Sequence, residues 1–169
     1  MLGGMDPAVF PRIARSIADA SLNGLSEGEI LAGFCLALNQ AGIPVTRAML
    51  GADTLHPVLA GRIFVWHAEL DEVGLHEFGR SMTADGEAKW RESPFYHMEQ
   101  SGEAELRFRI QGHNGPWPFS VLGGLAAQGY TDYLVTMTRF GEKGIIGQLD
   151  SIYASWTTRF DGGYTEKQI

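Results

Sequence analysis

Residues 105–110, Glu-Leu-Arg-Phe-Arg-Ile, alternate without a break: Leu106, Phe108 and Ile110 on one side, Glu105, Arg107 and Arg109 on the other. Side chains of a strand point to opposite faces in turn, so this run is a β-strand with one face on a core and one toward water. Half-solvated strands belong to antiparallel sheets, because parallel strands are covered on both faces and read as continuous apolar runs. The chain must therefore build an antiparallel sheet and cover part of it.

Helical patterns supply the cover. Ile13, Ile17 and Ala20 recur at helical spacing in Pro11–Leu22, which Gly24 closes. A second helix opens on Ser26 and Glu29, an S-x-x-E capping box in which each side chain can satisfy the other residue's backbone N–H. Ile30, Leu31, Phe34, Cys35, Leu38 and Ala41 form its apolar face; Gly42 caps it and Pro44 prevents continuation. Strands are expected over Val45–Leu50, with a turn or bulge at Gly51-Ala52-Asp53, and over Gly61–Leu70. Asp71–Arg91 is polar and gives no clear assignment. Pro116–Gln128 reads as a helix, and Asp132–Thr138 and Ile145–Thr158 as strands joined at Gly141–Gly144. Thr165 and Gln168 form a second box, T-x-x-Q, that would start an outgoing helix, so the chain reads as one domain, 1–169, of a longer protein. The expected class is α+β: an antiparallel sheet of about five or six strands with the helices gathered on one face.

A net charge of −7 argues against nucleic acid and anionic membrane as partners. No stretch has the length of a membrane helix, and Met1–Pro7 lacks the features of a signal peptide. The lone cysteine, Cys35, lies in an apolar helical run and fits a buried thiol in a reducing compartment, hence the cytoplasm.

Motifs for chemistry are sparse. The five histidines show no metal-ligand spacing, and no nucleophile elbow or phosphate loop is present. His67 alternates with Val65 and Ile63 and reads as a core or sheet-face histidine. No metal or cofactor is expected. The aromatics cluster: Trp90, Phe95, Tyr96, Trp117, Phe119, Tyr130, Tyr133 and Trp156 all fall in the second half. Aromatic walls with a few polar groups suit a small ligand. The candidate site lies between the sheet and residues 90–117, with Trp90, Phe95, Tyr96 and Trp117 as its aromatics, Arg107 and Arg109 to hold an anionic group, and His97 and Tyr133 as further polar contacts. The bland alternative is a core of aromatics under loops, with the two arginines facing water.

Several segments, in order, carry a resemblance: Gly42–Arg47 (GIPVTR), Leu55-His56-Pro57, Trp66, Trp90–Phe95 (WRESPF), Gly129–Tyr133 (GYTDY) and Phe160–Thr165 (FDGGYT). The chain resembles the N-terminal domain that precedes the catalytic domain in adenylate and guanylate cyclases of α-proteobacterial, rhizobial type. The resemblance implies a GAF/PAS-like fold with N-terminal helices on one face, a homodimer, a small-molecule effector and a regulatory rather than catalytic role. A haem or other sensor with a single His ligand, and a small enzyme using His97 or His113, are the competing readings.

Overall fold

The structure, a computed structural model, describes residues 8–53, 59–70, 73–79, 83–140 and 151–169. Two helices, α1 (Val9–Leu22) and α2 (Glu27–Gln40), come first. Strands β1 (Arg47–Asp53), β2 (Leu59–His67) and β3 (Gly74–Gly79) follow, then helices α3 (Ala84–Arg91) and α4 (Pro94–Ser101). Strand β4 (Glu105–Arg109), helix α5 (Ser120–Ala127) and strands β5 (Asp132–Arg139) and β6 (Ser151–Thr158) complete the chain. The strands form one six-stranded sheet in the order β3-β2-β1-β6-β5-β4, with every pairing antiparallel. The class is α+β, as expected.

The helices are not gathered on one face. α1 and α2 cover one side, where Ile13, Leu31, Cys35 and Leu38 pack on Ala48, Phe64 and Trp66. Helices α4 and α5 cover the other, where Phe95, Met98, Leu122 and Leu125 pack on Tyr133, Val135 and Met137; α3 joins them through Trp90. The β5 pattern explains why two layers are needed. Leu134 contacts the first core while Tyr133, Val135 and Met137 are buried in the second, so both faces of the strand are apolar and both require cover.

The α2 capping box forms as read: Ser26 Oγ accepts from the Glu29 N–H (3.3 Å) and Glu29 Oε2 from the Ser26 N–H (2.8 Å). After the positive-φ turn at Gly42, Asn39 ties the chain back through both amide atoms to the Val45 N–H and C=O, at 2.7 and 2.9 Å. Burial pushes the Cys35 thiol up to about 12, which keeps it protonated and inert.

Four expectations change. The turn placed at Gly51-Ala52-Asp53 is continuous strand; Gly51 registers between Ile63 and Tyr153, and a Cβ at residue 51 would meet both at ordinary contact distance. The unassigned polar stretch contains β3 and α3. Thr83 caps α3 by accepting from the Gly86 N–H, and Asp85–Lys89 and Glu87–Arg91 pair across one turn at 2.7 Å, with acids first and bases last as the helix dipole prefers. The segment leading into Glu105, expected as an irregular crossing, contains α4, with Ser93 as cap, Pro94 in the first turn and Gly102 left-handed at the end. The helix expected from Pro116 starts only at Ser120, since Pro118 holds the residue before it out of the helical region and Phe119 is extended (φ −133°).

No outgoing helix forms over Thr165–Ile169. The Thr165 N–H donates to Gln168 Oε1 (2.8 Å) and the Gln168 N–H to the Thr165 carbonyl (2.9 Å), closing a single turn. One turn cannot offset the cost of helix nucleation, and the Gln168 amide instead donates to the Gly42 carbonyl at 2.6 Å. Leu55-His56-Pro57, the Gly141–Gly144 turn and residues 145–150 of the last expected strand lie outside the described residues. Among the described residues no helix is long and apolar enough to cross a membrane.

Candidate functional site

The residues expected at the site divide between the two faces of the sheet. Trp90, Tyr96, His97, Trp117 and Tyr133 lie on the α3–α5 side. Trp90 meets Tyr96 and Tyr153 edge-on, with ring centroids 6.4 and 5.7 Å apart. His97 packs against Phe119 at 5.8 Å, and the chain of rings continues through Phe108 to Tyr133. Trp117 stacks on His113 at 4.1 Å. His97 is exposed and paired with Glu103 (3.0 Å), and His113 with the Gly115 carbonyl (3.1 Å).

Arg107 and Arg109 face the other way, in register with Leu134 and Asp132. Arg107 donates to Asp132 Oδ2 (2.7 Å), to Glu166 Oε1 (2.8 Å) and to the Tyr164 carbonyl. Its guanidinium is held above its ordinary value by the hydrogen bond to Asp132. Arg109 donates to the Gly162 carbonyl at 3.0 Å. Both arginines thus fasten a C-terminal strap, residues 159–169, to the sheet. A single site joining them to the aromatics does not form. The alternation that identified β4 already puts Leu106 and Phe108, on which the aromatics pack, opposite Arg107 and Arg109.

What the sheet does bring together is a polar row across four strands. His67 in β2, Arg47 in β1, Thr157 in β6 and Tyr133 in β5 stand in direct register, and Ser155 lies one pair along in β6. All five are on the α3–α5 side. Thr157 and Ser155 are fully buried, yet neither hydroxyl has a well-formed hydrogen bond among the described residues. Such a group costs about 1–3 kcal/mol when left unpaired, and native folds carry few of them. Arg47 is partly buried and makes no ion pair or side-chain hydrogen bond among the described residues. Its charge acts on both ends of the row. Burial, then Arg47 and Arg159, hold His67 below its usual value against the pull of Glu69, so the imidazole is neutral at pH 7. Burial raises the Tyr133 phenol, and the Ser155 hydroxyl and Arg47 offset part of the rise. Arg159, at the same end of the sheet, is already committed: it pairs with Glu69 (2.6 Å) and lies over the Tyr130 ring, 4.5 Å from its centroid.

The α1–α2 side carries less. A half-open cleft of about 150 Å³ is lined by residues including Phe10, Leu38, Leu134, Trp156 and Tyr164. Among the described residues the buried Tyr164 hydroxyl beside it lacks a partner, and no charged side chain lines the cleft. Among the described residues no three His, Cys, Asp or Glu side chains are placed to hold a metal ion.

Tyr133 is the one member of the polar row that sequence reasoning placed at the site. His67 was located correctly, on a sheet face, but given no role. Alternation along β6 puts Tyr153, Ser155 and Thr157 on one face, and Arg47 begins a strand, so their common face was legible. Their lack of partners was not, since that depends on what the covering helices bring. No family model matches the chain, and neither a curated protein nor a solved structure matches it.

Proposed function

We propose that this chain is a regulatory domain that binds a small molecule on the α3–α5 face of its sheet and passes the event to a following output domain. The observation that carries the reading is a pair of fully buried hydroxyls, Thr157 without a hydrogen-bond partner among the described residues and Ser155 beside the Tyr133 phenol, next to Arg47, which has no ion pair among those residues. Perturbed and unsatisfied polar groups under an aromatic cover are where ligands bind. The strap supports the second half of the proposal. Its clamp to Arg107 and Asp132 stands on β4 and β5, so a shift in the sheet would be felt by the segment that leads out of the domain.

The six antiparallel strands, with α1 and α2 on one face, agree with the GAF/PAS-like arrangement that the cyclase resemblance implies. On that reading the parent protein is a cytoplasmic nucleotide cyclase whose catalytic domain follows Ile169. Cyclase chemistry needs paired carboxylates holding two metal ions, and that machinery would belong to the following domain. Incubation of this chain with ATP and Mg²⁺ or Mn²⁺ is expected to yield no cyclic AMP above background; reproducible turnover would refute the regulatory assignment. The coding sequence downstream of residue 169 tests the parentage directly.

The reading also includes a homodimer on the N-terminal helices. Phe10 of α1 is 57% exposed and Leu36 of α2 is 53% exposed, while Ala14, Ala18 and Gly33 leave the same helices open to close approach. Burying two large apolar side chains per protomer across a two-fold axis is favourable. Light scattering is expected to give twice the chain mass for the wild type and a monomer for the Phe10→Glu, Leu36→Glu double variant. A wild-type monomer at high concentration would remove this part of the proposal.

A further inference from the structure

We infer that the ligand of the polar row is an anion, a small molecule whose carboxylate or phosphate group is held by Arg47 and the Ser155 and Thr157 hydroxyls. The inference rests on the proposed site and adds the chemical class of its occupant.

The argument starts from charge. The chain is acidic overall, with 20 Asp and Glu against 13 Lys and Arg. Its other sheet-end cations find partners: Arg62 pairs with Glu77 (3.0 Å), Arg107 with Asp132, and Arg159 with Glu69. Arg47, partly buried on the α3–α5 side, has none among the described residues. A cation withdrawn from water without a counter-charge is unfavourable, and a bound anion removes the penalty.

The neighbours of Arg47 are matched to an anion. The groups facing it across the register are His67 on β2 and Thr157 on β6, with Tyr133 beyond Thr157 and Ser155 one pair along. None is a carboxylate. Glu69, which acts on His67 at this end, is paired with Arg159. The Thr157 hydroxyl, which has no acceptor among the described residues, can donate to carboxylate or phosphate oxygens, the Ser155 hydroxyl can turn from the Tyr133 phenol to do the same, and a guanidinium binds either group through two parallel N–H bonds. Neutral His67 can present a ring N–H without competing for the anion as a second charge. Tyr133, buried and stacked with Phe108, closes the row at its β5 end.

A matched set of probes separates charge from shape. Benzoate and phenyl phosphate carry the anion, whereas benzamide keeps the ring and loses the charge. Titration calorimetry is expected to detect benzoate or phenyl phosphate, with affinity falling as salt rises, and to give benzamide at least about tenfold weaker binding. Arg47→Ala should weaken the anionic probes by roughly tenfold or more, and Arg47→Lys by less. Without probe, Arg47→Ala should melt no lower than the wild type, because the residue loses no partner among the described residues; that result shows the variant is folded. Equal binding of benzamide and benzoate, unchanged in Arg47→Ala, would overturn the anion assignment and leave the proposed site standing. Failure of all three probes to bind at millimolar concentration would overturn the anion assignment. Binding of an anionic probe that is lost in Arg109→Ala and retained in Arg47→Ala would place the anion on the opposite face, and would sink both readings.

Discussion

Replacing Asp132 with Ala is expected to lower the unfolding free energy by about 3–5 kcal/mol, the largest effect of any single substitution considered for this chain. The carboxylate is fully buried and holds two things at once: the Arg107 guanidinium, at 2.7 Å, and the Tyr164 backbone N–H, at 3.0 Å. Arg107 is itself only 17% exposed, so its charge would remain in the fold with Glu166, an 85% exposed acid, as the only ion-pair partner left to it among the described residues. Removing one member of a buried pair costs far more than the pair contributes, because the other charge stays behind uncompensated. Urea denaturation measures the loss, and in a thermal melt it corresponds to a drop on the order of 10 °C for a domain of this size. Arg109→Ala is the control. That side chain is 55% exposed and should cost no more than about 1 kcal/mol. A loss below about 1 kcal/mol in Asp132→Ala would mean that the clamp is not what holds the strap.

Gly163→Ala tests the same clamp from the backbone, with an expected cost on the order of 2–4 kcal/mol. Gly163 has φ +70°, a conformation that costs a residue with a side chain about 1–2 kcal/mol. A methyl group there would also lie 2.8 Å from the Asp132 Cβ and closer still to its Oδ2. Asp132 cannot swing aside, since Arg107 and the Tyr164 N–H fix it. Gly162 separates the two contributions. It too is left-handed, at φ +82°, but a methyl group there meets nothing within 4 Å, so Gly162→Ala should show the backbone cost alone. Equal melting temperatures for the two alanine variants would show that the approach to Asp132 is not tight.

The clamp and the polar row mark where sequence reasoning reached and where it stopped. The strand at Glu105–Arg109, the Ser26–Glu29 box and the Gly42 cap follow from spacing and chemistry within a few residues, and the structure has them where the spacing puts them. Ser93-Pro94 and Gly102 are equally local signals for α4, and reading the stretch as an irregular crossing overlooked them. Gly51 shows the opposite case: a glycine in a strand punctuates nothing when strands pair with it on both sides, here through Ile63 and Tyr153. The site required more. Arg107 was read as a ligand group because its strand face looked solvated, but its partners Asp132, Tyr164 and Glu166 come from 25 to 59 residues away. Long-range closure of that kind leaves no local pattern. The same holds for Arg47, whose significance is that no partner comes to it among the described residues.

The central claim is that the ligand lies on the α3–α5 face, at Arg47, and not on the arginine face that the strap occupies. Amide chemical-shift mapping with ¹⁵N-labelled protein and phenyl phosphate tests it most directly. The account predicts that the largest shifts fall on Arg47, His67, Tyr133, Ser155 and Thr157, with smaller ones along the strap. Shifts centred on Arg107, Arg109 and Glu166, with the polar row unmoved, would contradict it.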